Sequence, residues 1–207
     1  MRDEGQLVGI VSMELSKAVD YVVQHSLLLA KLKAYGLDEN SCALLRDYLS
    51  HRQQRVKIGD TFSSWENVGR GVPQGSVLGP TLFNIFINDL FCFIKRAKLK
   101  AYGDDHQVYY SNRDPMVLEE CLCQEVETAN QWYNRNGMIV NQSKHEALVI
   151  GDTDYTFFFP VKNSIDIFGL KIDRKLQFDK HISSICRKVN NQFNVMLRFR
   201  KLIITVN

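Results

Sequence analysis

The 207-residue sequence contains no apolar run that approaches the ~20 residues needed to span a bilayer. Its first residues, Met-Arg-Asp-Glu-Gly, do not form a signal peptide, and the sequence shows no internal repeat or low-complexity tract. The five cysteines form no CxxC pair, and an odd number without a secretion signal indicates reduced thiols. These absences exclude the membrane, collagenous, disordered and disulfide-framework classes. They predict an intracellular protein, in the nucleus or the cytoplasm, with no membrane partner.

The charges of the chain nearly balance. Lys and Arg total 26 against 23 Asp and Glu, which gives a formal net charge of +3. An excess of this size permits a nucleic-acid partner without demonstrating one. With 45% hydrophobic and 24% charged residues, the composition is that of an ordinary globular protein. Function must therefore be inferred from motifs.

Hydrophobic patterning predicts a mixture of strands and helices. Apolar strands are expected at 6–15, 99–102, 107–110, 138–140, 147–150 and 165–172. Helices are expected at 27–35, 40–51, 81–95, 115–137 and 178–200, and a hairpin at 53–68. This mixture favours the α+β class, with helices covering one face of a sheet. A weak domain boundary is predicted near 151–156.

The sharpest motif is Tyr-Gly-Asp-Asp at 102–105, between two predicted strands. Glycine and aspartate suit a tight hairpin turn, so two carboxylates on a solvated turn are one interpretation. The other is that the flanking strands hold the turn at a sheet edge, where adjacent carboxylates bind divalent metal. A two-metal site for phosphoryl transfer usually draws another carboxylate from a neighbouring strand, and Glu14 and Asp20 are the candidates.

A second motif, Gly-Val-Pro-Gln-Gly-Ser-Val-Leu-Gly-Pro at 71–80, immediately precedes a predicted buried helix. One interpretation is a surface loop that ends in a helix cap. The other is a ligand site, because the glycines around Gln74 let the backbone approach a ligand closely. The helix N-terminus behind them favours phosphate or sugar oxygens. The acidic turn elsewhere in the chain makes the second interpretation more specific.

These two motifs, with Glu-Leu-Ser-Lys-Ala-Val-Asp at 14–20 before them, resemble the reverse transcriptases of non-long-terminal-repeat retrotransposons, the jockey-like group. Further matching segments are HSLLLAKLKAYG (25–36), YLSHRQQRV (48–56), LFNIFINDL (82–90), NQSK (141–144) and FGLKID (168–173). The resemblance implies a polymerase palm, a ferredoxin-like antiparallel sheet backed by helices, with the fingers and most of the thumb missing. It divides the chain into a palm core at 1–151 and a C-terminal part at 152–207, which holds a primer-grip-like hairpin and the start of a helix leading to the thumb.

The resemblance also implies roles for single residues. Glu14, Asp104 and Asp105 match the catalytic carboxylates that hold two Mg²⁺ ions, for which Mn²⁺ can substitute. Lys144 matches a catalytic lysine proposed to assist the departure of pyrophosphate, and an ordinary solvated lysine is an equally good interpretation. Three residues match the site of the incoming nucleotide: Val19, Gln74 and Gly75.

Three positions depart from the family pattern. Glu14 replaces an aspartate, and a carboxylate misplaced by about 1 Å can cost on the order of 100-fold in rate. Val19 replaces an aromatic residue that packs under the sugar, so weaker exclusion of ribonucleotides is expected. Gly103 replaces an alanine in the same turn, a change expected to be harmless.

The resemblance predicts a fragment of a retrotransposon reverse transcriptase, impaired or inactive as this chain, whose ancestral reaction is RNA-templated DNA synthesis. The implied partners are an RNA template, a DNA primer and deoxynucleoside triphosphates. The alternatives are a non-catalytic remnant that binds nucleic acid and a non-functional translated pseudogene. Two basic clusters are either solvated faces or contacts to template–primer phosphates. They are Lys95, Arg96, Lys98 and Lys100, and Arg187, Lys188, Arg198, Arg200 and Lys201.

Overall fold

The computed structural model describes residues 5–15, 23–73, 75–138 and 140–204. The helices are α1 (His25–Ala34), α2 (Glu39–Leu49), α3 (Leu78–Ile87), α4 (Leu90–Phe93), α5 (Pro115–Arg135) and α6 (Asp179–Ile204). The strands are β1 (Leu7–Glu14), β2 (Gln53–Gln54), β3 (Lys57–Ile58), β4 (Thr61–Phe62), β5 (Glu66–Asn67), β6 (Lys98–Tyr102), β7 (Asp105–Asn112), β8 (Glu146–Ile150), β9 (Ser164–Ile167) and β10 (Leu170–Asp173). Helices combined with antiparallel strands confirm the predicted α+β class.

The centre of the fold is a four-stranded antiparallel sheet in the order β6-β7-β1-β8. Leu7, Val11 and Met13 of β1 are buried in the main core, on the face that α5 covers. Gly9 lies where α5 comes closest, because a Cβ atom added there would overlap the Leu122 side chain. Alternate residues of β1 therefore pack under α5, as strand geometry requires.

The opposite face of the sheet is covered at one end by the hairpin of β9 and β10. The apolar cluster between them consists of Leu148, Ile150 and Ile165, with Val8 and Ile10 packed against it. Glu14 follows Val8 and Ile10 on this face and is exposed at the end of β1. This face thus has apolar residues at one end and a carboxylate at the other. The division of the chain near residue 151 stays a prediction.

Two buried glutamates of α5 hold the segments around the sheet. Glu125 accepts hydrogen bonds from the backbone N–H groups of Lys95 at 3.2 Å and Arg96 at 2.6 Å, just before β6 begins. Glu119 accepts a hydrogen bond from the Tyr155 hydroxyl at 2.7 Å. Both buried carboxylates are satisfied in this way, and Glu125 fixes the start of the strand that leads to the acidic turn.

The helix predicted at 81–95 is divided into α3 and α4. Lys31 of α1 reaches the break, where its ammonium donates to the Phe86 carbonyl and to Asp89 Oδ1, both at 2.7 Å. Burial lowers the pKa of Lys31, and the hydrogen bond and charge of Asp89 oppose that shift. The contact comes from a distant segment, so the local pattern of apolar residues does not reveal the interruption.

Two other predicted strands differ from the structure. The strand expected at 165–172 is two strands, β9 and β10, which turn at Phe168 and Gly169 with φ of 52° and 78°. The strand expected at 138–140 is reduced to one β-bridge between Val140 and Leu15, with residue 139 outside the described residues. A positive φ at a phenylalanine is uncommon, which explains why the sequence pattern shows no turn there.

The hairpin predicted at 53–68 is built from short strands, β3 pairing with β4 and β2 with β5. The turn between β3 and β4 is Gly59-Asp60. The Arg55 guanidinium lies 3.9 Å from the ring centre of Phe62 and 4.5 Å from that of Trp65, and both rings are exposed. This hairpin lies at the surface and is held by its own cation–π contacts.

The last helix, α6, exposes the apolar side chains predicted for one of its faces. These residues are Ile182, Ile185, Val189, Phe193 and Met196, and they are 46% to 69% exposed. Within the described part of the chain, no helix combines the length and the apolarity required to cross a membrane.

Candidate active site

Strand pairing brings the predicted carboxylates to one edge of the sheet. Glu14, the last residue of β1, lies opposite Asp105, the first residue of β7. Asp104 occupies the two-residue turn between β6 and β7, and its carbonyl accepts a hydrogen bond from the Leu15 N–H at 3.3 Å. Paired residues of an antiparallel ladder share a face, so the Glu14 and Asp105 side chains lie on the face that α5 does not cover.

The three carboxylates concentrate negative charge at this edge. Burial raises the pKa of the half-buried Asp105 carboxyl, and the charges of Asp104 and Glu14 raise it further. Glu14 and Asp104 themselves are exposed. Like charges oppose the ionisation of a carboxyl group, and a nearby cation favours it. The electrostatics of this edge therefore favour binding of a cation.

Lys144 joins the carboxylates from a different segment. It ends a short 3₁₀-helix, Gln142–Lys144, that precedes β8. Its ammonium donates to Glu14 Oε1 at 2.7 Å, and both side chains are about half exposed. The structure thus places Lys144 beside the carboxylates, where it balances the charge of Glu14.

The donor set at this edge suits a hard divalent cation, because the three predicted ligands offer carboxylate oxygens. The side chains do not converge on one point: among the described residues, no three His, Cys, Asp or Glu side chains are grouped so that they could hold an ion. The Lys144–Glu14 ion pair is one physical reason, since it directs a carboxylate toward an ammonium group. In this structure the Glu14 carboxylate is paired with Lys144.

The glycine-rich segment lies beside the acidic turn. A cavity of about 420 Å³ separates this segment and α3 from the end of β6. Its lining includes Pro73, Gly75, Phe83, Tyr102 and Gly103. The Ser76 hydroxyl also accepts a hydrogen bond from the Gly79 N–H at 3.0 Å, at the start of α3. The helix-cap and ligand-site interpretations of the segment are therefore compatible.

Some predicted site residues lie outside the described residues. They are Val19, Asp20 and Gln74. The roles of Val19 and Gln74 at the nucleotide therefore stay predictions. Gly75 is described and lines the cavity next to the turn.

The structure adds two residues to which the sequence assigned no role. His106, next to Asp105, is fully buried on the α5 side of the sheet. Its Nδ1 lies 2.5 Å from the Tyr133 hydroxyl, and its Nε2 lies 3.1 Å from the Gly103 carbonyl oxygen. Strand alternation indicates that a neighbour of an outward-facing carboxylate faces the core. Strand alternation does not identify Tyr133 as the helix residue that contacts His106 in the core.

The tip of the β9–β10 hairpin also reaches the site. The rings of Tyr102 and Phe168 lie 5.3 Å apart between centres, at an angle of 71°. Both side chains are more than half exposed. Phe168 belongs to the segment predicted to resemble the primer-grip hairpin, so this segment contacts the residue that begins the acidic turn.

The basic cluster before the turn lies at the surface. Its exposed residues are Lys95, Arg96, Lys98 and Lys100. One of them, Arg96, donates from Nη1 to Gln124 Oε1 at 2.9 Å. On α6, Arg187, Lys188 and Arg198 are also exposed. Contact of either cluster with phosphates stays a prediction.

Comparison with protein families identifies the chain. The family model for reverse transcriptase (RNA-dependent DNA polymerase) matches residues 1–172. The chain belongs to this family. Relatives in Drosophila melanogaster include the probable RNA-directed DNA polymerases from transposon X-element, 28% identical over 154 residues, and from transposon BS, 26% identical over 212 residues. The RNA-directed DNA polymerase from the mobile element jockey of the same species is 24% identical over 157 residues.

These matches confirm the predicted resemblance to the reverse transcriptases of jockey-like retrotransposons. They cover 69%, 90% and 69% of this reverse transcriptase chain, in the order X-element, BS and jockey. They cover only 17%, 22% and 17% of the relatives. The chain thus spans about a fifth of the length of the curated relatives it matches.

Solved structures show the same fold as this reverse transcriptase chain. Apo telomerase from Candida tropicalis, truncated from its C-terminal domain, matches with a TM-score of 0.57 and 15% identity, over 84% of this chain and 35% of the telomerase. Telomerase from Candida albicans, in complex with a fragment of telomeric RNA, matches with a TM-score of 0.53 and 18% identity, over 80% and 29% of the two chains. The likeness concerns the fold alone, and it confirms the predicted helix-backed antiparallel sheet of a polymerase palm.

Proposed function

We propose that this chain contributes the palm of a retrotransposon RNA-directed DNA polymerase. In the proposed reaction the primer 3′-oxygen bonds to the α-phosphorus of a deoxynucleoside triphosphate. The bond from that phosphorus to the leaving pyrophosphate breaks, and the 3′-hydroxyl proton is lost. The observation that carries the proposal is the β1–β7 register, which sets Glu14 opposite Asp105 and close to Asp104.

Glu14, Asp104 and Asp105 are the residues that would hold two Mg²⁺ ions, or Mn²⁺ in their place. Their oxygen donors suit these cations. When bound, two such ions supply the charge that activates an attacking hydroxyl and stabilises a leaving oxygen. The raised pKa of Asp105 supports this assignment, because a cation relieves the repulsion among the three carboxylates.

Lys144 has two roles in this proposal. Its ammonium balances the charge of Glu14. With Glu14 holding a cation, the Lys144 ammonium would be free to move and donate a hydrogen bond to the departing pyrophosphate. The half-exposed side chain of Lys144 has room for that movement.

The proposed substrates meet beside the cavity at the turn. Gly75 lines this cavity, and Val19 and Gln74 complete the nucleotide site in our proposal. The match to the family model for RNA-dependent DNA polymerases supports an RNA template. Exposed lysines of β6, Lys98 and Lys100, supply positive charge for phosphates of the template and the DNA primer.

In our proposal the chain has two parts, and residues 1–151 form the palm core. The segment at 152–207 contributes a primer-grip-like hairpin and the start of a helix toward the thumb. The contact between Phe168 of that hairpin and Tyr102 of β6 supports this arrangement, because it sets the hairpin tip beside the acidic turn.

Glu14 is the reason to expect weak activity from this chain. Its carboxylate reaches Lys144, and the three carboxylates do not converge in the described residues. A reacting group displaced by about 1 Å can cost on the order of 100-fold in rate. We therefore propose a polymerase whose catalytic step is slow.

Primer extension on an RNA template, with Mg²⁺ and with Mn²⁺, tests the proposal. We expect slow extension by the wild-type chain and none by Asp104→Asn, which removes a proposed metal ligand. Asp60→Asn is the matched control, because Asp60 occupies another Gly-Asp hairpin turn and should leave extension unchanged. Extension that persists in Asp104→Asn contradicts the proposal.

A second candidate function is binding of nucleic acid without catalysis. The ion pair between Glu14 and Lys144 favours it, because that pair occupies one of the proposed metal ligands. Salt-sensitive RNA binding together with no extension in either metal would support this candidate over the polymerase.

A further inference from the structure

His106 occupies the position directly behind the acidic turn. It follows Asp105 along β7, and its fully buried ring lies on the opposite face of the sheet from the Asp105 carboxylate. One ring nitrogen, Nε2, lies 3.1 Å from the carbonyl oxygen of Gly103, and the other, Nδ1, lies 2.5 Å from the Tyr133 hydroxyl. Both nitrogens of a buried side chain are therefore used in hydrogen bonds.

The partners decide which atom donates in each bond. A carbonyl oxygen only accepts, so Nε2–H donates to Gly103. In a neutral ring Nδ1 then accepts, and the Tyr133 hydroxyl donates to it. The His106 ring is fully buried, and burial disfavours the charged form of an imidazole, so the neutral ring is the form that fits these two bonds. Burial also raises the pKa of Tyr133, which keeps its proton.

Tyr133 connects this chain of hydrogen bonds to the rigid part of the fold. It is fully buried on α5 and packs edge-on against Trp132, with ring centres 5.6 Å apart. The same helix holds the start of β6 through Glu125. The acidic turn is thus fastened to α5 at the beginning of β6 and again at the turn itself.

The fastened group is the peptide that joins Gly103 to Asp104. Its carbonyl accepts the bond from His106, and the next residue along the chain carries a proposed metal ligand. A peptide unit is planar, so fixing the direction of its carbonyl also fixes the direction of the N–H of Asp104. Rotation of this peptide would move both aspartates relative to Glu14.

From this geometry we infer that His106 and Tyr133 are positioning residues, which hold the Gly103–Asp104 peptide in the orientation that lets Asp104 and Asp105 bind a divalent cation. The cation in this inference comes from the proposed function. The hydrogen bonds that hold the Gly103–Asp104 peptide do not depend on that function. Neither side chain touches the substrate: Tyr133 acts through His106, and His106 acts through the Gly103 carbonyl.

Binding of Mn²⁺ to the full chain tests the inference, with free Mn²⁺ measured by electron paramagnetic resonance. Tyr133→Phe removes one hydroxyl and keeps the ring, so the chain should still fold, and we expect Mn²⁺ affinity to fall about tenfold. Tyr155→Phe is the matched control, because it removes a tyrosine hydroxyl that donates to Glu119 of the same helix. Equal Mn²⁺ affinity in wild type and Tyr133→Phe would overturn the inference.

Nuclear magnetic resonance supplies two local readouts, the tautomer of the His106 ring and the amide exchange of the turn. In wild type, imidazole ¹⁵N shifts should show His106 protonated at Nε2 alone, and Tyr133→Phe should weaken that preference. Amide hydrogen exchange at Asp104 and Asp105 should become faster in Tyr133→Phe than in Tyr155→Phe. Unchanged exchange would overturn the inference.

The two measurements separate this inference from the proposed function. A wild-type chain that binds no Mn²⁺ contradicts the proposed metal ligands. The amide exchange of Asp104 and Asp105 still decides whether His106 and Tyr133 hold the turn. Normal Mn²⁺ binding that Tyr133→Phe leaves unchanged contradicts the inference and leaves the proposed function intact.

Discussion

Two hairpin turns of this chain share the residues Gly-Asp and nearly the same φ at the glycine, 59° at Gly59 and 58° at Gly103. Each turn joins its two strands directly, β3 to β4 and β6 to β7. The first turn ends a short exposed hairpin. The second lies against a third strand, since β7 pairs with β1 from Asp105 to Asn112. The two turns therefore share the Gly-Asp pair and the φ of its glycine, and their surroundings differ.

The difference shows that a Gly-Asp turn does not make a site by itself. β1 brings Glu14 to the second turn, and α5 supports that turn from behind through Tyr133 and His106. Asp60 ends its hairpin beside the exposed residues of β3 and β4. The turn at Gly103-Asp104 is a candidate metal site because residues distant in sequence lie beside it. Four predictions test whether those residues make the difference between the two turns.

Acidification should weaken the supported turn most strongly. The pKa of His106 is about 4 in the folded chain against an ordinary value of 6.5, so between these pH values the unfolded chain binds more protons and stability falls as pH falls. The full effect corresponds to about 3 kcal/mol in the free energy of unfolding. Denaturant unfolding near neutral pH and near pH 4 measures it. His106→Gln should reduce the pH dependence, and an equal dependence in that variant would contradict the prediction.

Glu14→Asp should raise any polymerisation, by up to about 100-fold, because the shorter side chain restores the carboxylate position typical of the family. The measurement is primer extension on an RNA template, with Mg²⁺ and with Mn²⁺. Glu66→Asp, which shortens a glutamate in β5 of the other hairpin, is the control. No gain from Glu14→Asp would show that the extra methylene is not what limits the site.

Alanine at the two turn glycines should have unequal effects. Both positions have a positive φ, which strains an alanine by about 1 kcal/mol. We expect Gly103→Ala to lower the free energy of unfolding by that amount, because its turn is part of the central sheet. Gly59→Ala should lower it less, since the outer hairpin can loosen alone. Equal losses in the two variants would contradict this prediction.

Lys144→Met should give the smallest effect, a gain in Mn²⁺ affinity of about two- to fivefold. An ion pair exposed to this degree stabilises its two side chains by roughly 0.2–1 kcal/mol. In Lys144→Met this pair is absent, so Mn²⁺ no longer competes with Lys144 for Glu14. Titration of Mn²⁺ measures the change, with Lys162→Met, which loses a pair with Glu146, as the control. Weaker binding in Lys144→Met would show that the lysine supports the metal site instead of competing with it.

Features that depend on the local pattern of apolar residues could be predicted from the sequence. The strands at 6–15 and 147–150 and the two strands around the acidic turn follow from apolar runs, and the start of α5 follows from Pro115. The residues alone left Glu14 and Asp20 as candidates for the third carboxylate, and the family resemblance selected Glu14. The structure sets Glu14 opposite Asp105.

Features that depend on contacts between distant segments could not be predicted from the sequence. The break between α3 and α4 depends on Lys31, which approaches from α1. The bonds from His106 to Tyr133 and to Gly103 combine a strand, a helix and a turn, and no spacing along the chain indicates such a set. The ion pair of Lys144 with Glu14 joins residues from opposite ends of the palm, so the sequence could offer the lysine only as one of two interpretations.

The packing of Trp132 against Tyr133 gives the molecule a built-in optical reporter. The chain has two tryptophans: Trp132 is buried beside the support of the acidic turn, and Trp65 is exposed on the outer hairpin. Indole emission shifts to longer wavelength as water gains access to the ring, so the two fluorophores should emit at separable wavelengths. Quenching by iodide should reach Trp65 first, while the blue component follows the environment of Tyr133. Each hairpin turn could then be monitored in solution without a label.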